Sequence, residues 1–284
     1  MIRFNNKKNL FFRKGKIMFN KIIKSFVALM IFFALTVTVQ ARSLDEIMKS
    51  GVLKGGVNPG LPPLAKYNEK NELVGFDADI MAKLADMLGV KLELVKVGSP
   101  DRIPFVATGK IDIVMGALTR NYKRQKIVDY TVPVHTEVFG ALTTSKKPFA
   151  AVMDMNRDDV KLAQVRGSMP AGWAKKNLPK AKITLFDNYP DAMRAIAQGR
   201  ADAIVDVVDF LGEHMNKHNV EWQVVDKAID TWFCGIGVKK GNSSLQQWLN
   251  VALFTLHRAG FVDETWKKWF GIGQVHSVQP QPYF

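Results

Sequence analysis

The stretch "GFDADIMAKLADMLGVKLELVKV", residues 75–97, decides the fold. Its first part sets Ile80, Met81, Leu84, Met87 and Leu88 on one face of a helix. Asp77 reads as the N-cap of that helix and Gly89 as its stop. From Val90 to Val97 the apolar spacing tightens to that of a strand. Outward on the N-terminal side lies "VLKGGVN" (52–58), a short apolar run that ends in the turn residues "PGLPP". On the C-terminal side come "DRIPFVATG" (101–109), a helical turn, and "KIDIVMG" (110–116), an apolar strand. The order repeats later: "VKLAQV" (160–165), "RGSMPAGWAKKN" (166–177), "AKITLFD" (181–187), "YPDAMRAIAQGR" (189–200) and "ADAIVDVV" (201–208). Strands alternating with helices predict an α/β fold with a mostly parallel sheet.

Between the two series, "TTSKKPFAAVMDMNRDD" (143–159) is polar and reads as a boundary between two lobes. After "TWFCGIGVKKGN" the sequence predicts a long helix from Ser244 to Arg258 and a shorter one from Phe261 to Phe270. Trp266, Trp269 and Phe270 sit three or four apart on the latter, as core-facing residues do. The tail from residue 273 to 284 lacks apolar periodicity and is expected to fray.

Residues 1–41 carry eight Lys/Arg and no Asp or Glu. An apolar segment from Phe26 to Val39 follows the basic head, and Val39-Gln40-Ala41 forms a small-residue cleavage site. That pattern predicts a secretory signal peptide cleaved after Ala41, with Met18 as an alternative start. Without those eight cations, 32 of the 40 Lys/Arg remain against 26 Asp/Glu, so +6 instead of +14. So modest and scattered an excess does not argue for a nucleic-acid partner. The single cysteine, Cys234, lies in an apolar run and reads as a buried small hydrophobe. His214 and His218 share a helical face, but no third ligand stands at metal spacing, so no metal or cofactor is expected and the pair reads as an exposed polar face.

The chemistry concentrates in "GALTRNYKRQK" (116–126), where Arg120, Lys123, Arg124 and Lys126 follow a buried strand. By position alone such a run is a solvated face or an anion clamp, and solvated faces are the commoner case.

Five blocks in order carry a resemblance that bears on the choice. They are residues 56–95, 101–134, "VRGSMPAGW" (165–173), "NYPDAMRAIAQGRADAIV" (188–205) and "LHRAGFVDETWKKWFG" (256–271). Together they resemble the periplasmic polar amino-acid-binding proteins, family 3 of the extracellular solute-binding proteins. The resemblance implies a type II periplasmic-binding-protein fold: two α/β lobes, two hinge strands and a ligand cleft. Lobe 1 would be 44–140 plus 235–272, and lobe 2 would be 141–234. It implies a monomeric periplasmic receptor that delivers a small polar amino acid to the permease of an ABC importer.

Residue by residue, Arg124 falls where the family holds the ligand α-carboxylate, with Thr119 as a hydroxyl partner and Ala117 in the same block. A guanidinium offers a carboxylate two parallel donors, which a lysine cannot. Gly167, Ser168 and Met169 match a second set of donors at a helix start. Leu61 and Leu64 stand where an aromatic often covers the ligand. Asn58 replaces an acid that meets cationic side chains, which disfavours a Lys, Arg or His ligand. "DRIP" with "RNYKRQK" resembles the glutamate/aspartate-binding branch, in which Arg102 and Arg120 would meet a second carboxylate. The match departs at the amine. Val207 occupies the position of the usual Asp, with Asp206 one residue before it and Asp209 two after. Asp206 or Asp209 reaching the cleft, an amine held otherwise, and a ligand without an amine all remain open. A cyclohexadienyl-type dehydratase on the same fold is the alternative; Asp206, Asp209 or Glu213 would be its acid.

Overall fold

The computed structural model describes residues 42–279, and the segment read as a signal peptide lies outside them. Helix α1 (Leu44–Ser50) leads into β1 (Val52–Val57). Two short strands, β2 (Lys66–Tyr67) and β3 (Leu73–Val74), pair as a small hairpin before α2 (Phe76–Leu88). There follow β4 (Lys91–Lys96), α3 (Arg102–Ala107), β5 (Ile113–Val114), a 3-10 turn at Arg124–Lys126 and the 17-residue β6 (Val128–Thr144). Next are β7 (Lys161–Val165), α4 (Met169–Asn177), β8 (Lys182–Phe186), α5 (Tyr189–Ala197) and β9 (Ala203–Asp206). A 3-10 turn (Val208–Leu211) and α6 (Gly212–Met215) precede the 18-residue β10 (Trp222–Lys239), then α7 (Ser243–Arg258) and α8 (Phe261–Phe270).

The main sheet has eight strands in the order β4-β1-β5-β10-β6-β9-β7-β8. Its flanks are parallel: β1 with β4 and β5, β7 with β8 and β9. Its centre is antiparallel, because β6 and β10 pair along their whole length from Trp222↔Thr144 to Lys239↔Val128. At one end β10 also holds β5, at Gly237 and Val238; at the other β6 holds β9, from Gly140 to Thr143. Both long strands therefore serve both halves of the sheet, and breaks in their register fall between Val225 and Asp230 and around Gly235. Apolar spacing alone does not reveal this central crossing, because a long strand and two short ones look alike in a run of apolar residues; β6 and β10 are the two hinge strands that the resemblance implied. The segment 143–159 is no bare linker either: its 3-10 turn buries Val152 and Met155 against the second half's core.

Two further expectations change. The N-cap of α2 is Gly75 rather than Asp77. With φ of +142°, and with Leu64 O only 2.4 Å from where a Cβ would lie, position 75 admits glycine alone without rearrangement. Asp77 is thereby freed for another task, and its Oδ2 accepts the Gly116 amide at 2.7 Å. The tail does not fray as far as it is described: Thr136 N donates to Gln274 Oε1 (3.3 Å) and Thr136 Oγ1 to the His276 carbonyl (2.6 Å). Backbone and amide groups of the tail, invisible to an apolar-periodicity reading, hold it on β6.

Candidate functional site

The loops at one edge of the two sheet halves converge on Gly167, between β7 and α4. Arg124 Nη2 donates to its carbonyl at 2.7 Å, and Arg102 Nη2 donates to the same oxygen at 3.3 Å. Arg102 is buried, 3% exposed, and is held by Ser99 O through Nε (3.1 Å) and by the carbonyls of Gly116 and Ala117 (2.7 Å to the latter). Arg124 also donates to Thr119 O at 3.1 Å, and burial pushes its guanidinium below its ordinary pKa. Among the described residues neither arginine makes an ion pair with a carboxylate. Two cations thus share one carbonyl in a sheltered place.

Other bonds join the two halves across the same gap. Asn121 Nδ2 donates to Met169 Sδ (3.1 Å), and Lys66 pairs with Glu213 at 2.6 Å. His214 Nε2 lies 2.9 Å from Gly60 O, and since a carbonyl only accepts, Nε2 carries the proton. His214 is therefore buried, not on an exposed polar face; its ring stacks on Tyr189 with centroids 6.4 Å apart. At the mouth a cavity of about 420 Å³ is lined by Asn58, Tyr67, Ser99, Asp187, Tyr189 and Asp191.

The remaining sequence candidates distribute unevenly. Thr119 is buried and anchored to β10 by a bridge to Cys234; its hydroxyl donates to Glu137 Oε2 at 3.0 Å. Ala117 sits at φ +59°, turning its carbonyl onto Arg102. Asn58 spends its amide on Ser99 Oγ and its oxygen on the Gly60 amide, both at 3.0 Å. Ser168 caps α4 by accepting from Ala171 N, and its own amide donates to Val165 O, so that amide is not a free anion donor. Leu61 and Leu64 belong to the apolar core. Arg120 is exposed and packs over Gly235, away from the arginine pair. Asp209 is exposed, whereas Asp206 is 2% exposed, with Oδ1 on the Val207 amide (2.8 Å) and Oδ2 without a partner among the described residues. Val207 packs on the other side, near Phe210 and Trp266. The strand's alternation explains this: 206 and 207 face opposite ways.

Sequence reading missed Glu137, Tyr189 and Asp77. Glu137 had a signal, being the lone acid in the apolar core of "TVPVHTEVFGALTT". Burial raises Glu137, Asp206 and Asp77 each to about 7, although Arg102 opposes this for all three. Burial also raises the Cys234 thiol well above its usual range, as suits an inert buried side chain.

These shifts fix a pH response. A carboxyl whose folded pKa exceeds its unfolded value stabilises most below about pH 4, and that contribution is lost as pH rises through about 7. Burial lowers His135 to about 4 and lowers His214 and His257, which opposes the carboxyls below about pH 6.5. Above that pH the histidines are neutral in both states, so the carboxyls act alone. We expect the ligand-free protein to melt lower at pH 8 than at pH 6.5 in differential scanning fluorimetry. An equal or higher Tm at pH 8 would contradict the burial of these three groups.

Residues 53–272 match the family described as bacterial extracellular solute-binding proteins, family 3, and the chain belongs to that family. It is 31% identical over 208 residues to the ABC transporter glutamine-binding protein GlnH of Bacillus subtilis (strain 168), covering 72% of this chain and 75% of that one. It superposes, with a TM-score of 0.74 and 34% identity, on the crystal structure of an ancestral amino acid-binding protein, AncCDT-1, described as a precursor of cyclohexadienyl dehydratase. That likeness covers 80% of this chain and 99% of the other. The cyclohexadienyl dehydratase of Pseudomonas aeruginosa is 24% identical over 189 residues, 66% of this chain and 70% of that enzyme.

Proposed function

We propose that the protein is the periplasmic substrate-binding component of an ABC importer for a polar amino acid, with an acidic side chain favoured. Residues 44–140 with 235–272 form one lobe and 141–234 the other, hinged on β6 and β10. The observation that carries the reading is the convergence of Arg102 and Arg124 on the Gly167 carbonyl with no carboxylate of the described residues in ion-pair contact. A buried cation lacking a counter-charge is costly. A ligand with two carboxylates would satisfy both guanidiniums, and because Gly167 lies across the gap, its binding would favour the closed arrangement. Asp206, whose buried Oδ2 has no partner among the described residues, lies beside Tyr189 and would take the ammonium. The closed form would then dock on the permease.

A thermal-shift screen of the chain from residue 42 against amino acids and dicarboxylates tests the reading. A ligand at a hundredfold excess over Kd stabilises by about 2.7 kcal/mol, raising Tm by about 5–10 °C. L-glutamate or L-aspartate should do so; stabilisation by cationic amino acids alone would overturn the acidic specificity. Since an ammonium needs the ionised carboxylate, affinity should fall as pH drops below about 7, the value to which burial raises Asp206. Asp206→Asn should cost about tenfold in affinity, near the worth of one charge-assisted hydrogen bond, and should flatten that acid limb. An unchanged acid limb in calorimetric titrations of the variant would remove Asp206 from the site.

A second reading, a dehydratase, is favoured by one observation: Asp206 and Glu137 are buried carboxyls that hold a proton near neutrality, as a general acid must. Asp209, being exposed, and Glu213, engaged by Lys66, suit the role less. Turnover of a cyclohexadienyl substrate by the purified protein distinguishes the two readings.

A further inference from the structure

Glu137 has no place in the binding-protein reading above, yet it stands at the centre of that site. It is 3% exposed on β6, the strand shared by both halves, and its Oε2 accepts a hydrogen bond from the Thr119 hydroxyl. The charged and titratable groups around it come from six elements: Arg102 on α3, Arg124 on the 3-10 turn, Cys234 on β10, Asp206 on β9, Tyr189 on α5 and Asp77 on α2. A hydroxyl has one proton. While Thr119 gives it to an ionised Glu137, it cannot give it to a ligand carboxylate, although Arg124 reaches back to the Thr119 carbonyl from the same pocket wall.

We propose that Glu137 is a positioning residue for the ligand: by taking up one proton as an anionic solute binds, it turns the Thr119 hydroxyl from a donor to Glu137 into a donor to the solute. The proton comes from solvent and settles on Glu137 Oε2, which then donates to Thr119 Oγ1, and the Thr119 proton rotates to the incoming carboxylate. Electrostatics drives the same change, because a second anion beside Glu137 disfavours its charge. Burial already holds Glu137 near the point of protonation at neutral pH. The inference rests on the anion-binding reading of Arg102 and Arg124. It adds an alkaline limb to the affinity profile, opposite to the acid limb of Asp206.

Isothermal titration with L-glutamate as the probe, from pH 6 to 9 in two buffers of different ionisation enthalpy, tests it. Above pH 7 the wild type should take up one proton per ligand and lose about tenfold in affinity per pH unit over at least one unit. Glu137→Gln, whose amide donates permanently, should bind at pH 8.5 as tightly as the wild type or better, without proton uptake. Thr119→Ser should keep the limb. No uptake in the wild type, or uptake retained in Glu137→Gln, would overturn the proposal. If L-glutamate gives no heat at any pH, the acidic-ligand reading fails, and a second measurement still decides on Glu137. The side-chain carboxyl ¹³C resonance that vanishes in Glu137→Gln should titrate near pH 7 in the ligand-free protein and move in Thr119→Val. Titration in the ordinary glutamate range, or indifference to Thr119→Val, would overturn it.

Discussion

Replacing Arg124 by alanine lowers ligand affinity about 30- to 4000-fold, the equivalent of about 2–5 kcal/mol for truncating one partner of a sheltered charge pair. The size follows from what the side chain does. Its guanidinium spans from Thr119 O, on one side of the gap, to Gly167 O on the other. Alanine would remove both the fork offered to the ligand carboxylate and one of the bonds that draw the halves together. Arg124→Lys should recover little, because an ammonium cannot present two coplanar donors. The check is calorimetric titration with whichever amino acid the thermal screen identifies. A loss below about fivefold would reject the assignment.

Gly167→Ala should also cost affinity, by a different route. Gly167 has φ +75°, where an L side chain is strained by about 1–2 kcal/mol. A Cβ there would stand 2.9 Å from Pro100 Cα and 3.0 Å from Ser99 O. Both are backbone atoms and cannot rotate aside, so the methyl group acts as a wedge worth about another 1–3 kcal/mol. The strain at φ +75° is present with or without ligand, so the wedge alone lowers affinity, by about 5- to 150-fold. Because the clash belongs to the closed arrangement, the ligand-free protein should remain folded, and small-angle scattering should show it more open than the wild type. Unchanged affinity would mean that Ser99, Pro100 and Gly167 do not meet in the ligand-bound protein.

How far the sequence reveals these features depends on the kind of interaction. Helices such as α2 and α8 follow from apolar spacing because one face of each is buried on the core. Arg124 and Thr119 are singled out by the resemblance of their block; the fold adds that Arg124 reaches Gly167, and their contact with a ligand is the proposal. Ser168 was legible as a helix cap, a local rule that needs no knowledge of the fold. Asp206 was ambiguous because a register count cannot say which face of β9 looks into the gap; in the fold Asp206 and Val207 are both buried, on opposite sides. Glu137, Tyr189 and His214 come from β6, α5 and α6, which only tertiary folding brings together. No local pattern of spacing announces such a meeting. Arg120 shows the converse: it shares a cationic run with Arg124, yet the backbone turn after Thr119 sends it outward over Gly235.

The most direct test of the account is a crystal structure of the chain from residue 42 with its amino acid bound. We expect a ligand carboxylate facing the Arg124 guanidinium in a two-pronged contact, with Gly167 closed over it from the opposite half. An Arg124 side chain directed into bulk solvent, with the ligand held elsewhere, would contradict it.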